Sequence, residues 1–252
     1  MVIALGMLVA VALGVAYARS RTPGPVFADE FDGWRVDTDR WSSGYPWGCT
    51  SETTGERQCY APEALTVRDG LLVLEADRDP NGRLPYRSGM VASHRSFAQR
   101  YGYFELRARL PRGQGLWPAF WLLPKPDGTW PPELDVMELF GSEPHQVLMA
   151  QHYRDAAGRE RKRVRTWRGP DFTAGFHTFG MSWSPTAVVW YVDGVERFRS
   201  TRDIPTQEMY VLVNLAVGGE APGPPDATTP FPARMEVDYV RVWEDPDHLL
   251  RR

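Results

Sequence analysis

The stretch Trp130-Pro131-Pro132-Glu133-Leu134-Asp135-Val136-Met137-Glu138-Leu139-Phe140-Gly141 interleaves three acids with large apolar side chains. The apolar positions read as a strand with one face in a core. Residues two apart on a strand share a face, so Glu133 and Asp135 point the same way. Glu138 lies five positions after Glu133 and falls on the other face, where an unpaired carboxylate is expensive. A β-bulge at Val136-Met137 removes the conflict: one extra residue restores parity and brings Glu138 beside the other two. Three carboxylates on one face repel one another, so at least one pKa is raised. That is the arrangement needed for paired acid and nucleophile chemistry on a glycosidic bond.

The elements that must position these acids read as strands. Phe104 to Leu110 alternates apolar and polar without error, the period of a half-buried strand. Leu71 to Ala76 follows an Asp69-Gly70 turn, and Val188 to Val192 returns through Asp193-Gly194 into Val195 to Phe198. Asp-Gly between two such runs is a strong hairpin signal, because glycine tolerates positive φ. Tyr210 to Val217 and Met235 to Trp243 supply two more strands, and no amphipathic helix exceeds two turns. With 23 Gly and 22 Pro in 252 residues, punctuation is too dense for a helical bundle. The fold class is all-β, an antiparallel β-sandwich.

Composition narrows the partners. The chain is 42% hydrophobic and 24% charged, enough for a packed core and too little charge for disorder. A net charge of -3 and the lack of a prominent basic stripe argue against a nucleic-acid partner. Residues 1–18 are apolar and end in Ala16-Tyr17-Ala18, a small-x-small cleavage signal. They read as an export signal, leaving residues 19–252 as a single catalytic domain, secreted or extracytoplasmic. The first cations, Arg19 and Arg21, follow the apolar run, which favours the opposite orientation. A retained anchor, the one route to membrane association, therefore stays open. Cys49 and Cys59 are the two cysteines; a disulfide and a pair of free thiols both stay open. A monomer is expected.

In ordered blocks the sequence resembles glycoside hydrolase family sixteen, and within it the laminarinase-like endo-β-1,3-glucanases. The blocks begin with Phe27-Ala28-Asp29-Glu30-Phe31-Asp32-Gly33, Ser88-Gly89-Met90-Val91 and Tyr101-Gly102-Tyr103-Phe104-Glu105-Leu106-Arg107. Gly115 to Pro124 and the acid cluster follow, then Phe176 to Phe179, Trp190 to Gly194, Asn214 to Gly219 and Val237 to Val242. The resemblance implies a jelly roll with a concave substrate cleft and a polysaccharide (β-glucan) substrate. It implies that Glu133 is the nucleophile, Glu138 the general acid/base and Asp135 the residue between them, in a retaining mechanism without a catalytic cofactor. It also implies a structural calcium on the convex face, held by Glu30, the Gly70 carbonyl and Asp238.

Trp117 and Trp121, four apart in the preceding strand, share a face and could stack sugar rings. Trp130, His152 and Asn214 complete the expected substrate-binding set; His152 would reach substrate or Asp135, and Asn214 the cleft floor. His177 reads as structural, and Arg107 and Arg109 as a solvated face. Two departures from the family pattern stand out. Ala221 occupies a position where the family often has an aromatic residue, and the Trp47 to Cys59 loop is not a general family feature. The alternatives are the same chemistry on another polymer (galactan, agar, mixed-linkage glucan) or a non-catalytic β-glucan-binding module.

Overall fold

The computed structural model describes residues 23–251. The export-signal reading of residues 1–18 lies outside the described residues. In chain order the strands are β1 (Phe27–Asp29), β2 (Gln58–Tyr60), β3 (Leu65–Arg68), β4 (Leu71–Arg78), β5 (Tyr86–Ser88), β6 (Met90–Ala92), β7 (Gly102–Arg109) and β8 (Leu116–Pro124). They continue as β9 (Glu133–Glu138), β10 (Gln146–Arg154), β11 (Glu160–Arg168), β12 (His177–Trp183), β13 (Val188–Val192), β14 (Val195–Ser200), β15 (Met209–Val217) and β16 (Ala233–Trp243). Among the described residues the helical pieces are two 3-10 segments, Pro62–Ala64 and His248–Arg251.

Ten strands form one sheet, in the order β14-β13-β12-β7-β16-β4-β5-β2, with β1 on β16 and β3 on β4. The other six form the second sheet, β11-β10-β9-β8-β15-β6. The pairing of β2 with β5 is parallel, and the acid-bearing strand β9 is antiparallel to both its neighbours. The two hairpin signals behave as expected. Asp69-Gly70 joins β3 to β4 and Asp193-Gly194 joins β13 to β14, with positive φ at all four residues.

The core lies between the two sheets. Phe104 and Leu106 of β7, Met181 and Trp183 of β12, and Val237 and Val240 of β16 point in from one side. Phe120 and Leu122 of β8, Val147 and Met149 of β10, and Val211, Val213 and Leu215 of β15 point in from the other. The opposite rows of β8, β10 and β15 are thereby turned outward, and they form the site.

The outer face of the ten-stranded sheet departs from simple alternation at Glu105, which is buried and accepts hydrogen bonds from the hydroxyls of Tyr103 and Tyr239, each at 3.0 Å. On the same face Arg107 pairs with Asp238 and Arg109 with Glu236 across β7 and β16. Arg241 holds both oxygens of Glu30, at 2.6 and 2.7 Å. These contacts bear on the expected calcium site. Calcium needs several oxygen ligands free to surround it, and here both candidate carboxylates are spent on guanidinium groups. As placed, Glu30, Gly70 and Asp238 do not form an open cation site.

Candidate active site

The parity conflict in the acid strand is resolved by a bulge. Against β10, Asp135 sits opposite Ala150 while Glu138 sits opposite Leu148, so two residues of β9 face one of β10. Against β8, Asp135 lies opposite Trp121 and Glu138 opposite Ala119. The extra residue falls at Val136-Met137, and both of these side chains enter the core. Glu133, Asp135 and Glu138 therefore emerge on the same outward face. A further tie comes from the opposite sheet: the Trp190 indole N–H of β13 donates to the Asp135 carbonyl at 2.8 Å.

The three acids lie in a trough of about 660 Å³ across the six-stranded sheet. Trp117 and Trp121 line it from β8, His152 from β10, Asn214 from β15, and Trp130 from the segment before β9. Every expected catalytic and substrate-binding residue is thus in one trough. Two contacts differ from expectation. The Trp130 N–H donates to Glu133 Oε2 at 2.8 Å rather than standing free for a hydroxyl. The Asn214 amide is engaged with two side chains: it accepts from Trp121 Nε1 at 2.7 Å and donates to the Tyr60 hydroxyl at 2.8 Å. Asn214 therefore fixes the pose of Trp121.

The indole N–H of Trp117 donates to Glu138 Oε1 at 2.9 Å. Room for that ring depends on Gly219, where φ is +123° and a Cβ would stand 3.1 Å from the indole. His152 Nε2 lies 3.3 Å from Asp135 Oδ2 and 3.5 Å from Glu133 Oε1. His177, by contrast, bonds Asp193 at 2.8 Å beside the β13–β14 turn, the structural role expected of it.

Burial dominates the electrostatics. It pushes the Glu133 carboxyl well above the usual range, and the charge of Asp135 adds to the push, while His152 and the Trp130 N–H oppose it. Asp135 is also well above its usual value, through burial first and the charge of Glu138 second, with a hydrogen bond from Glu133 pulling it down. Glu138 is raised by burial and pulled back by Trp117, His152 and Lys162. Three such groups repel one another in one partly dry trough, so each raises the others and their titrations belong to the group rather than to single residues. Glu133, Asp135 and His152 place donor atoms within 4.8 Å of one another, a set a divalent metal accepts. Glu138 stands outside that set.

The Trp47 to Cys59 loop forms one end wall of the trough, with side chains the sequence reading did not single out. Trp47 is 55% exposed, and its ring stacks on Tyr45 at 4.6 Å with 10° between planes. The Tyr45 hydroxyl donates to Glu56 Oε1 at 3.1 Å, and Glu56 is further held by Thr54 and Gln58. Partial burial raises the Glu56 carboxyl, making it a fourth acid in the trough with a raised pKa. Cys49 and Cys59 are joined in a disulfide that closes this loop. The visible signal was the loop itself, with a tryptophan and an acid set about two cysteines. Lys162 of β11 also lines the trough and was not singled out.

Three comparisons bear on this geometry. The endo-1,3-1,4-beta-glycanase EglC of Rhizobium meliloti is 40% identical over 243 residues, which cover 86% of this chain and 51% of that protein. The laminarinase catalytic domain of Thermotoga maritima superposes with a TM-score of 0.78 at 32% identity, covering 88% of this chain and 98% of that one. The endo-beta-1,3-glucanase of Pyrococcus furiosus gives 0.74 at 36%, covering 86% and 93%. The chain thus spans about half the length of EglC and nearly all of both solved chains. The family model for glycosyl hydrolases family 16 matches residues 54–241, which include every residue of the acid cluster and both tryptophans of β8. With the bulged acid strand set in an open trough on a two-sheet sandwich, the chain belongs to the glycosyl hydrolases family 16.

Proposed function

We propose that this site hydrolyses internal β-1,3-glucosidic bonds of a glucan with retention at the anomeric carbon. The observation that carries the reading is the bulge at Val136-Met137, which delivers Glu133 and Glu138 to one trough face, each oriented by a tryptophan N–H. A Glu133 carboxylate oxygen attacks the anomeric carbon. The bond to the leaving oxygen breaks, and that oxygen takes the proton of Glu138. Glu138, now ionised, removes a proton from water; the water oxygen displaces Glu133 and leaves the sugar with its original configuration. Asp135, between them, hydrogen-bonds Glu133, and burial raises the Glu138 carboxyl, the direction the first step needs.

The solved domains described as laminarinase and endo-beta-1,3-glucanase support a β-1,3-glucan substrate. The name of EglC supports a second reading, a glucan with mixed 1,3 and 1,4 linkages. An open trough agrees with internal cleavage of a polymer. A disulfide in so short a loop suits an oxidising compartment and supports export of the domain.

The test is release of reducing ends from laminarin, curdlan and mixed-linkage glucan, with Glu133→Gln and Glu138→Gln as controls and proton NMR of the first-formed anomer. Turnover of laminarin that disappears in both variants, with the β-anomer formed first, is the expected result. Activity that survives either substitution, or an α-anomer formed first, overturns the assignment.

A further inference from the structure

β11 is the outermost strand of the six-stranded sheet. It carries five cations against one acid in nine residues, Glu160–Arg168, a local basic run that the sequence reading passed over, in a chain whose net charge is -3. Edge strands often bear charge as a guard against pairing with another chain. Arg161, paired with Asp155, and Arg163, paired with Asp203, fit that role. Lys162, which lines the trough, has no such partner among the described residues. Register with β10 sets Lys162 opposite His152, Val164 opposite Ala150, Thr166 opposite Leu148 and Arg168 opposite Gln146. These four share the face of His152.

Glu133, His152 and Lys162 form one row across β9, β10 and β11. At about 4.8 Å per strand, the row sets Lys162 roughly 10 Å from Glu133, beside the reacting bond rather than on it. Lys162 is exposed, lines the trough and has no ion-pair partner among the described residues. Arg168, further along the same face, has a loose 3.7 Å approach to the exposed Glu143. A neutral glucan offers these cations hydroxyl groups alone. The other charged groups of the lining, Glu56, Asp127 and the three catalytic acids, would repel an anion and confine it to the β11 wall.

We propose that the substrate is an acidic β-glucan, with a carboxylate substituent docking against Lys162 on β11. The inference rests on the glucan-cleaving reading above and names the class of glucan. The probes are neutral laminarin and carboxymethylated β-1,3-glucan. Binding is read by affinity electrophoresis on the Glu138→Gln protein, and turnover separately on the wild-type protein.

The expected result is tighter binding of the carboxymethylated glucan by about threefold or more at low salt, with the difference fading as salt rises. Lys162→Gln in the same background abolishes that preference. Arg165→Gln, on the opposite face of β11, retains it. A preference of one or less, or equal loss in Lys162→Gln and Arg165→Gln, overturns the proposal while turnover of laminarin leaves the glucanase reading standing. Preferential binding without turnover of either glucan upholds the acidic subsite and rejects the glucanase reading. Binding of neither glucan overturns the proposal, and turnover by the wild-type protein then decides the glucanase reading.

Discussion

The Trp117 indole N–H reaches Glu138 Oε1 across 2.9 Å, so the ring proposed to stack a sugar also touches the carboxyl proposed as the general acid. Burial raises the Glu138 carboxyl, and this hydrogen bond, which favours the ionised form, pulls it back. Trp117→Phe keeps an aromatic face and removes the donor. Glu138 then holds its proton to higher pH, and the alkaline limb of the kcat/KM profile moves upward. An unmoved or lowered limb contradicts the role given to this contact.

Asp135 is expected to cost stability for the sake of chemistry. Its folded pKa lies well above its unfolded value, mainly through burial. The stability it contributes is therefore complete below the ordinary aspartate range and is lost as pH rises through the elevated folded value. Asp135→Asn removes the charge while keeping the shape. The melting temperature at neutral pH should rise, by about 2–4 °C for each kcal/mol recovered, and hydrolysis should fall. Calorimetry at pH 4 and pH 7 checks the sign, since the gain should shrink at the lower pH.

Trp190 positions the bulge from the opposite sheet through its 2.8 Å bond to the Asp135 carbonyl. Trp190→Phe leaves that buried carbonyl short of a donor at a cost of about 1–3 kcal/mol. If the bond sets the aim of β9, kcat falls several-fold while KM changes little. A loss of stability with kcat intact would show that the indole merely fills space.

Replacing both cysteines by serine frees the loop that carries Trp47 and Glu56. Closing a loop of ten residues is worth at most about 3 kcal/mol in the chain-entropy account, so the melting temperature should fall by several degrees. The Trp47–Tyr45 stack would lose its tether, and KM for long glucans should rise more than kcat falls. Equal kinetics in the serine variant would remove Trp47 from the binding surface.

Much of the site was legible in the sequence because it obeys strand parity. The period-2 pattern placed Trp117 with Trp121, and the break in that pattern located the bulge at Val136-Met137. What stayed hidden depends on contacts between residues far apart in the chain. Asn214 bridges Trp121 to Tyr60, and Trp190 reaches Asp135 across the core. Asp238 sits where the β16–β7 register slips between Val237 and Tyr239, beside Arg107, a pairing that composition alone does not reveal.

The bulge also shapes how this chain can diversify. The third acid owes its place to a residue count, not to any particular side chain at positions 136 and 137. Other apolar pairs of similar volume should be interchangeable there, and lineages are free to drift. Losing one codon would turn the acid inward and expose an apolar neighbour in a single step. Selection can therefore retune this strand by exchanging letters but has no gradual route to shortening it.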